Sequence, residues 1–245
     1  MIEKYSILDI SEEEHKLVVT AREKYGEVFD TAHELVKFLT NFMESINRET
    51  YVFMSFLSLA RKSLLLALLS TVRMHQVQTQ MNIRQALEAG VKGAYALAFP
   101  DPERFAVKRE DGTLEEKEDL VRCCYQWLEE NYIEESNAIK ALKKSINELF
   151  AHANIITTQN ITEFSNEKYL TTVFDKEDSL MVKSSLWLVA NVSFGLINLF
   201  AKISLKTKNI KLAPDFVRRI SEYRNATENI KRQLMAEPRF SRFYR

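Results

Sequence analysis

The chain has 245 residues, 46% hydrophobic and 28% charged, with 34 Lys/Arg balancing 34 Asp/Glu. That length supports a sizeable core, and a net charge of zero excludes bulk charge as a reason to bind nucleic acid or membrane. Five glycines and four prolines are few for this length, which favours long uninterrupted helices over many short strands.

Helix signals begin with Ser11-Glu12-Glu13-Glu14, which has the form of a capping box. Behind it Ala21, Tyr25, Val28, Ala32, Leu35, Leu39, Phe42 and Ile46 recur in steps of four and three, the spacing of a seam along a neighbouring helix. A first helix is therefore expected over about 12–48, weakened at Gly26. Residues 53–99 contain no proline and read as a second long helix. Unbroken, it would span roughly 70 Å, so a break is expected near Arg73 or at Gly90 and Gly93. Its first half is leucine-rich core and its second half, from Arg73 to Glu88, is crowded with polar groups.

Asp101-Pro102 looks like an N-cap followed by proline at the first helical position. Glu110-Asp111-Gly112 reads as a loop, and Thr113-Leu114-Glu115-Glu116 as a second capping box opening a helix to about 151. Val121, Cys124, Leu128, Ile139, Leu142, Ile146 and Leu149 supply that helix's apolar positions, with its polar middle exposed or bent. Ile155–Thr162 and Tyr169–Phe174 are rich in β-branched and aromatic residues, which predicts a β-hairpin near 155–174. Helix resumes over about 178–206, and a last helix follows Pro214 to about 236. Residues 184–201 are uncharged and just long enough to raise a membrane span. Ser184, Asn191, Gly195, Asn198 and Lys202 form one thin polar stripe, as in the central helix of a bundle. The expectation is a mainly α fold over residues 1–245, a bundle of about five long helices with one small hairpin, with membrane insertion the disfavoured alternative.

Charge is uneven along this plan. Residues 202–245 carry twelve Lys/Arg and four Asp/Glu, a net of +8, which leaves −8 for residues 1–201. Residues 101–135 carry twelve acids and five bases, a net of −7. The basic C-terminal region could lie against an acidic surface, its own or a partner's; two solvated faces is the plain alternative. The tail 238–245, Pro-Arg-Phe-Ser-Arg-Phe-Tyr-Arg, is expected to be a flexible basic and aromatic terminus that could stack on bases or dock on 101–135. Adjacent Cys123 and Cys124 suit free thiols in a reducing compartment. Met1-Ile2-Glu3-Lys4-Tyr5 lacks a signal-peptide plan, so a cytoplasmic location is expected.

On a helical wheel Arg73, Gln76, Gln80, Arg84 and Glu88 share one face, with Arg84 and Glu88 spaced to pair. Turned inward, that face would need an anionic ligand or acidic partner for its arginines; turned outward, it is ordinary solvated polarity. His75, Gln78, Thr79, Asn82 and Gln85 occupy the other side. His152 follows Asn147-Glu148-Leu149-Phe150-Ala151 at a helix end, where the dipole alone accounts for a histidine. The functional alternative makes His152 a general base or nucleotide contact with Asn147 or Asn154 beside it. The four histidines are scattered, so no metal is expected; no phosphate loop, GxSxG or HExxH occurs, and no cofactor is implied.

Helix Arg84-Gln85-Ala86-Leu87-Glu88, a helix ending near His152, a short hairpin and further long helices together resemble the HEPN-type helical bundles over roughly residues 55–205. The resemblance implies a dimer concerned with nucleotides, RNA or bacterial defence. Active nucleases of that kind carry an arginine four to six residues before a histidine. Here Asn147 and Glu148 fill that interval and the nearest bases are Lys143 and Lys144, so ribonuclease activity is not carried over. Inactive members act as binding or regulatory modules. The expectation is therefore a homodimeric module binding protein, nucleotide or RNA through Arg73, Gln76, Gln80, Arg84 and Asn147. The alternative is an enzyme acting on RNA or a nucleotide through Arg84, Glu88 and His152.

Overall fold

A computed structural model describes residues 6–151, 155–165 and 168–241, and they fold as a mainly α bundle with small antiparallel hairpins. Helix α1 (Ile7–Asn41) starts earlier than the Ser11 motif suggests. Ser6 is the N-cap, its hydroxyl accepting from the Asp9 N–H at 3.2 Å while Asp9 Oδ2 accepts from the Ser6 N–H at 2.8 Å. The true reciprocal box therefore lies five residues upstream, which frees Glu14 for a tertiary contact. Gly26 (φ 51°, ψ −129°) kinks α1 in a backbone conformation that side-chain-bearing residues avoid. The expected seam holds as far as Phe42, with Ala21, Tyr25, Val28, Ala32, Leu35, Leu39 and Phe42 all buried, but the helix ends at Asn41 rather than near 48 and Ile46 lies half-buried on a strand.

The proline-free stretch divides into α2 (Tyr51–Val72) and α3 (Gln76–Ala98), with the break at Arg73–His75. Gly90 and Gly93 stay helical and serve packing instead. A Cβ at Gly90 would come 2.3 Å from Leu196 Cδ2, so the missing side chain lets α7 (Ser179–Thr207) approach α3. Phe38, Phe42, Phe53 and Phe200 are fully buried, with Phe200 edge-on to Phe53 at 5.2 Å and stacked with Phe42 at 6.3 Å. The core thus lies between α1, α2, α3 and α7. Helices α2 and α7 are also the two, among the described residues, long and apolar enough to cross a membrane.

Asp101 caps a 3₁₀ turn at Pro102–Arg104, as its sequence suggests. Thr113 does not open a helix. Its N–H and hydroxyl both donate to Asp111 Oδ1, at 2.9 and 2.6 Å, closing a turn between β2 (Ala106–Lys108) and β3 (Leu114–Glu116). Cross-strand pairing of Arg109 with Glu115 holds that hairpin. Helix then begins at Leu120 and divides at Tyr132 into α4 (Leu120–Asn131) and α5 (Ile133–Phe150). The stretch expected as one hairpin begins instead with α6 (Ile155–Asn160), where Thr158 donates to the Ile155 carbonyl at 2.8 Å. Strands β4 (Thr162–Ser165) and β5 (Lys168–Thr171) follow, Thr162 opposite Thr171. An unforeseen ribbon joins β1 (Met43–Ile46) to β6 (Ile210–Leu212), Ile46 opposite Ile210. Helix α8 (Phe216–Ala236) packs on α7 and α1, and α9 (Pro238–Ser241) ends the described chain.

Candidate functional site: the polar face of α3

The polar half of α3 begins at a tight elbow. Met74 takes a positive φ of 60°, and the Arg73 and His75 N–H groups donate to the Leu69 and Ser70 carbonyls at 3.0 and 2.9 Å. His75, the N-cap, offers α3 no side-chain cap. The cap arrives from far along the chain: Asp175 Oδ2 accepts from the Gln76 N–H, and the Asp175 N–H donates to the Met74 carbonyl at 2.9 Å. A carboxylate at that point also meets the positive end of the helix dipole. Burial nevertheless pushes the Asp175 carboxyl above its ordinary range, outweighing the Gln76 hydrogen bond and the His75 charge.

On the other side of the elbow, Glu14 of α1 faces both basic residues. Its Oε1 lies 2.9 Å from His75 Nε2 and its Oε2 3.7 Å from Arg73 Nε. The second distance is an ion pair beyond hydrogen-bond range, and Arg73 Nε is buried without a hydrogen-bond partner. The His75 ring stacks on Phe174 with centroids 5.5 Å apart.

Along α3 the face is flanked by α5 and met at one point by α6, and its far end at Arg84 and Glu88 stays partly exposed. Asn160 Nδ2 donates to Gln76 Oε1 at 2.9 Å, and Gln80 is buried. Farther on, Glu88 Oε1 receives Arg84 Nε at 3.2 Å and Lys143 Nζ at 3.0 Å. Lys143 also donates to the Tyr125 hydroxyl at 2.7 Å. Burial pushes the Glu88 carboxyl up, but Lys143 and Arg84 together hold it below its ordinary value. Burial likewise works against a charged Lys143, and Tyr125 with Glu88 more than restores it. Asn147 lies one turn beyond Lys143 on α5, its Oδ1 buried without a hydrogen-bond partner.

The opposite side of the wheel is mixed, with Gln78 and Gln85 exposed and Thr79 enclosed. Thr79 is fully buried, its hydroxyl donating to the His75 carbonyl at 3.0 Å, and Gln85 accepts from Ser63 of α2 at 3.1 Å. Polar groups surround this half of α3 because part of it faces solvent and part meets polar groups of neighbouring elements. The structure thus brings together Arg84 with Glu88 and places Arg73 and Gln76 at the elbow. His152 and Asn154 lie outside the described residues. The sequence reading missed Glu14, Tyr125, Lys143, Asn160 and Asp175 as partners. Only the Arg84–Glu88 spacing was a local signal.

The space left at the elbow is small, about 40 Å³ between Thr71, Met74, His75, Thr79, Asp175 and Ser185. That holds a few water molecules and falls far below the several hundred Å³ of a small-molecule site. A larger concavity, about 660 Å³, lies at the other end of α2, between Tyr51–Phe56 and the β2–β3 hairpin. Phe56, Phe105, Val107, Leu114 and Leu120 give it apolar walls. Lys92 pairs with Glu116 beside it at 2.5 Å. Among the described residues no group of three or more His, Cys, Asp or Glu could hold a metal. Burial pushes the Cys124 thiol up to about 12, which leaves it unreactive at neutral pH. Comparison of the chain with protein-family models, curated proteins and solved structures gives no match.

Proposed function

We propose that this protein is a cytoplasmic helical binding or regulatory module that acts through contact with protein rather than through chemistry on RNA or a nucleotide. The observation that carries this reading is the state of the α3 polar face. Its charged groups make ion pairs within the chain, Arg73 with Glu14 and Glu88 with Arg84 and Lys143, and α5 packs beside it. Arg84 is already engaged with Glu88, so a phosphate would have to compete with that carboxylate for its guanidinium. The apolar groove at the β2–β3 hairpin has the opposite character, and exposed apolar surface of that kind is the ordinary signature of protein contact. The resemblance to HEPN-type bundles without the nuclease residues agrees with a binding role.

The test is photocrosslinking of the full-length protein in cells, with benzoylphenylalanine placed at exposed Val107 in one variant and at exposed Met81, beside the α3 polar face, in another. Protein adducts at Val107 and no nucleic-acid adducts at either position are the expected result. RNA captured at Met81, and lost on Arg84→Ala, would replace this reading with the nucleotide-directed one.

A further inference from the structure

We propose that the elbow between α2 and α3 is a docking site for an acidic amphipathic helix of a protein partner, and that residues 7–25 of α1 form a hinged strap that lies over it as the chain's own competitor. The inference rests on the protein-contact reading above and adds a second surface to it.

The two halves of α1 are held very differently. Beyond Gly26, Val28, Ala32, Leu35, Phe38 and Leu39 are buried. Before it, none of residues 7–20 is buried, and only Ala21 and Tyr25, beside the hinge, enter the core. Few buried contacts make local opening inexpensive. Gly26 confines the kink to one residue. A Cβ there would meet nothing within 4 Å, so the backbone conformation (φ 51°, ψ −129°), and not crowding, selects glycine. Arg22 Nε lies 3.0 Å from Asp30 Oδ1 across the kink. Residues eight apart are separated by about 12 Å along a straight helix, so this pair belongs to the kinked form.

The strap meets the elbow through polar groups that are imperfectly matched. Glu14 reaches His75 Nε2 at 2.9 Å but Arg73 Nε only at 3.7 Å, and that nitrogen is buried without a hydrogen-bond partner. The Tyr25 hydroxyl, next to the hinge, is likewise buried without one. Each is a desolvation cost of the closed strap. Swinging out returns the Tyr25 hydroxyl to water, and a carboxylate set closer to Arg73 satisfies its Nε. The strap also defines what displaces it. Ile10, Glu14, Leu17, Ala21 and Tyr25 follow in steps of four, three, four and four, which makes one helix face with a carboxylate among larger apolar groups. A partner helix with that spacing, its acid presented to Arg73 and His75, fits the same surface.

The experiment uses the strap as its own probe: a fluorescein-labelled peptide of residues 6–25, titrated into the full-length protein and followed by anisotropy. In the parent, the tethered strap competes at an effective concentration on the order of 1 mM. Glu14→Lys sets a cation against Arg73 and His75 and frees the strap, so this variant should bind the peptide at least about tenfold more tightly than the parent. The peptide carrying Glu14→Lys should bind neither protein. Hydrogen exchange of the parent needs no variant: amides of residues 10–20 should exchange at least about tenfold faster than those of residues 31–39 in the same helix. Equal peptide affinity for parent and variant, no binding to the variant at about 1 mM peptide, or uniform protection along α1 would overturn the proposal. Protein adducts at Val107 are independent of these outcomes, so failure of the strap is distinguishable from failure of the protein-contact reading.

Discussion

Besides its long packing against α2, helix α3 is held by two contacts of opposite chemistry. Toward α7 it is apolar and close, with Gly90 against Leu196 and Gly93 near Phe200. Toward α5 and α6 it is polar, with Glu88 shared by Arg84 and Lys143 and Gln76 held by Asn160. Burial in the first contact is favourable in itself, at about 25 cal/mol per Å² of apolar surface. In the second, desolvation opposes each ion pair and only good geometry offsets it. The apolar face should therefore fix stability, and the polar face should fix which way α5 and α6 lie.

The comparison can be broken most sharply at Phe200. It is fully buried and touches both Phe42 and Phe53, so Phe200→Ala should cost about 3–5 kcal/mol in urea unfolding. A loss below 1 kcal/mol would mean that the apolar face is not the main support of α3.

Gly90→Leu follows in size. The Leu196 methyl at 2.3 Å from a new Cβ can rotate away, but the remaining side chain has no space, and overpacking of this kind costs about 1–3 kcal/mol. An unchanged melting midpoint would show that α3 and α7 slide apart freely.

On the polar face, Lys143→Ala leaves Glu88 with Arg84 alone. Glu88 is 41% exposed, so solvent screens the loss to about 1 kcal/mol. The sign with pH is fixed by the direction of the shift. The Glu88 carboxyl is held below 4.5 in the fold, so its stabilisation is full above that value and lost as pH falls through the folded value. The gap between Lys143→Ala and the parent should narrow in acid, as denaturant curves at pH 7 and pH 3 would register.

This contrast also explains what could be read in advance. The apolar contacts repeat at helical spacing, so the α1 seam, the leucine-rich α2 and the uncharged α7 were visible as patterns. The elbow was expected because 47 residues of helix would outrun the fold. Capping motifs misled: Ser11 and Thr113 match the pattern, but Ser6 and the Asp111 turn satisfy the same backbone groups first. Residues 155–158 are β-branched yet helical, because a side-chain bond inside the turn and Asn160's hold on Gln76 outweigh a weak propensity. Of the candidate site, only Arg84 and Glu88 were legible as a pair. Glu14, Lys143 and Asp175 reach α3 from other elements, and no local spacing encodes such contacts.

Asp175 offers the smallest and most discriminating change. Its carboxylate caps α3 across 99 residues of sequence, so Asp175→Ala should cost about 1 kcal/mol through the lost cap. Asp175→Asn keeps an acceptor for the Gln76 N–H and removes the buried charge. Because burial raises this carboxyl above 3.8, the folded state binds its proton more tightly than the unfolded state does. Stability contributed by Asp175 is therefore greatest below 3.8 and declines as pH rises through the folded value. Asp175→Asn should accordingly match or exceed the parent at pH 7 and lose that advantage near pH 3. If asparagine proved as damaging as alanine at pH 7, the carboxylate charge on the helix dipole would outweigh its desolvation, and the polar face would stabilise α3 in its own right.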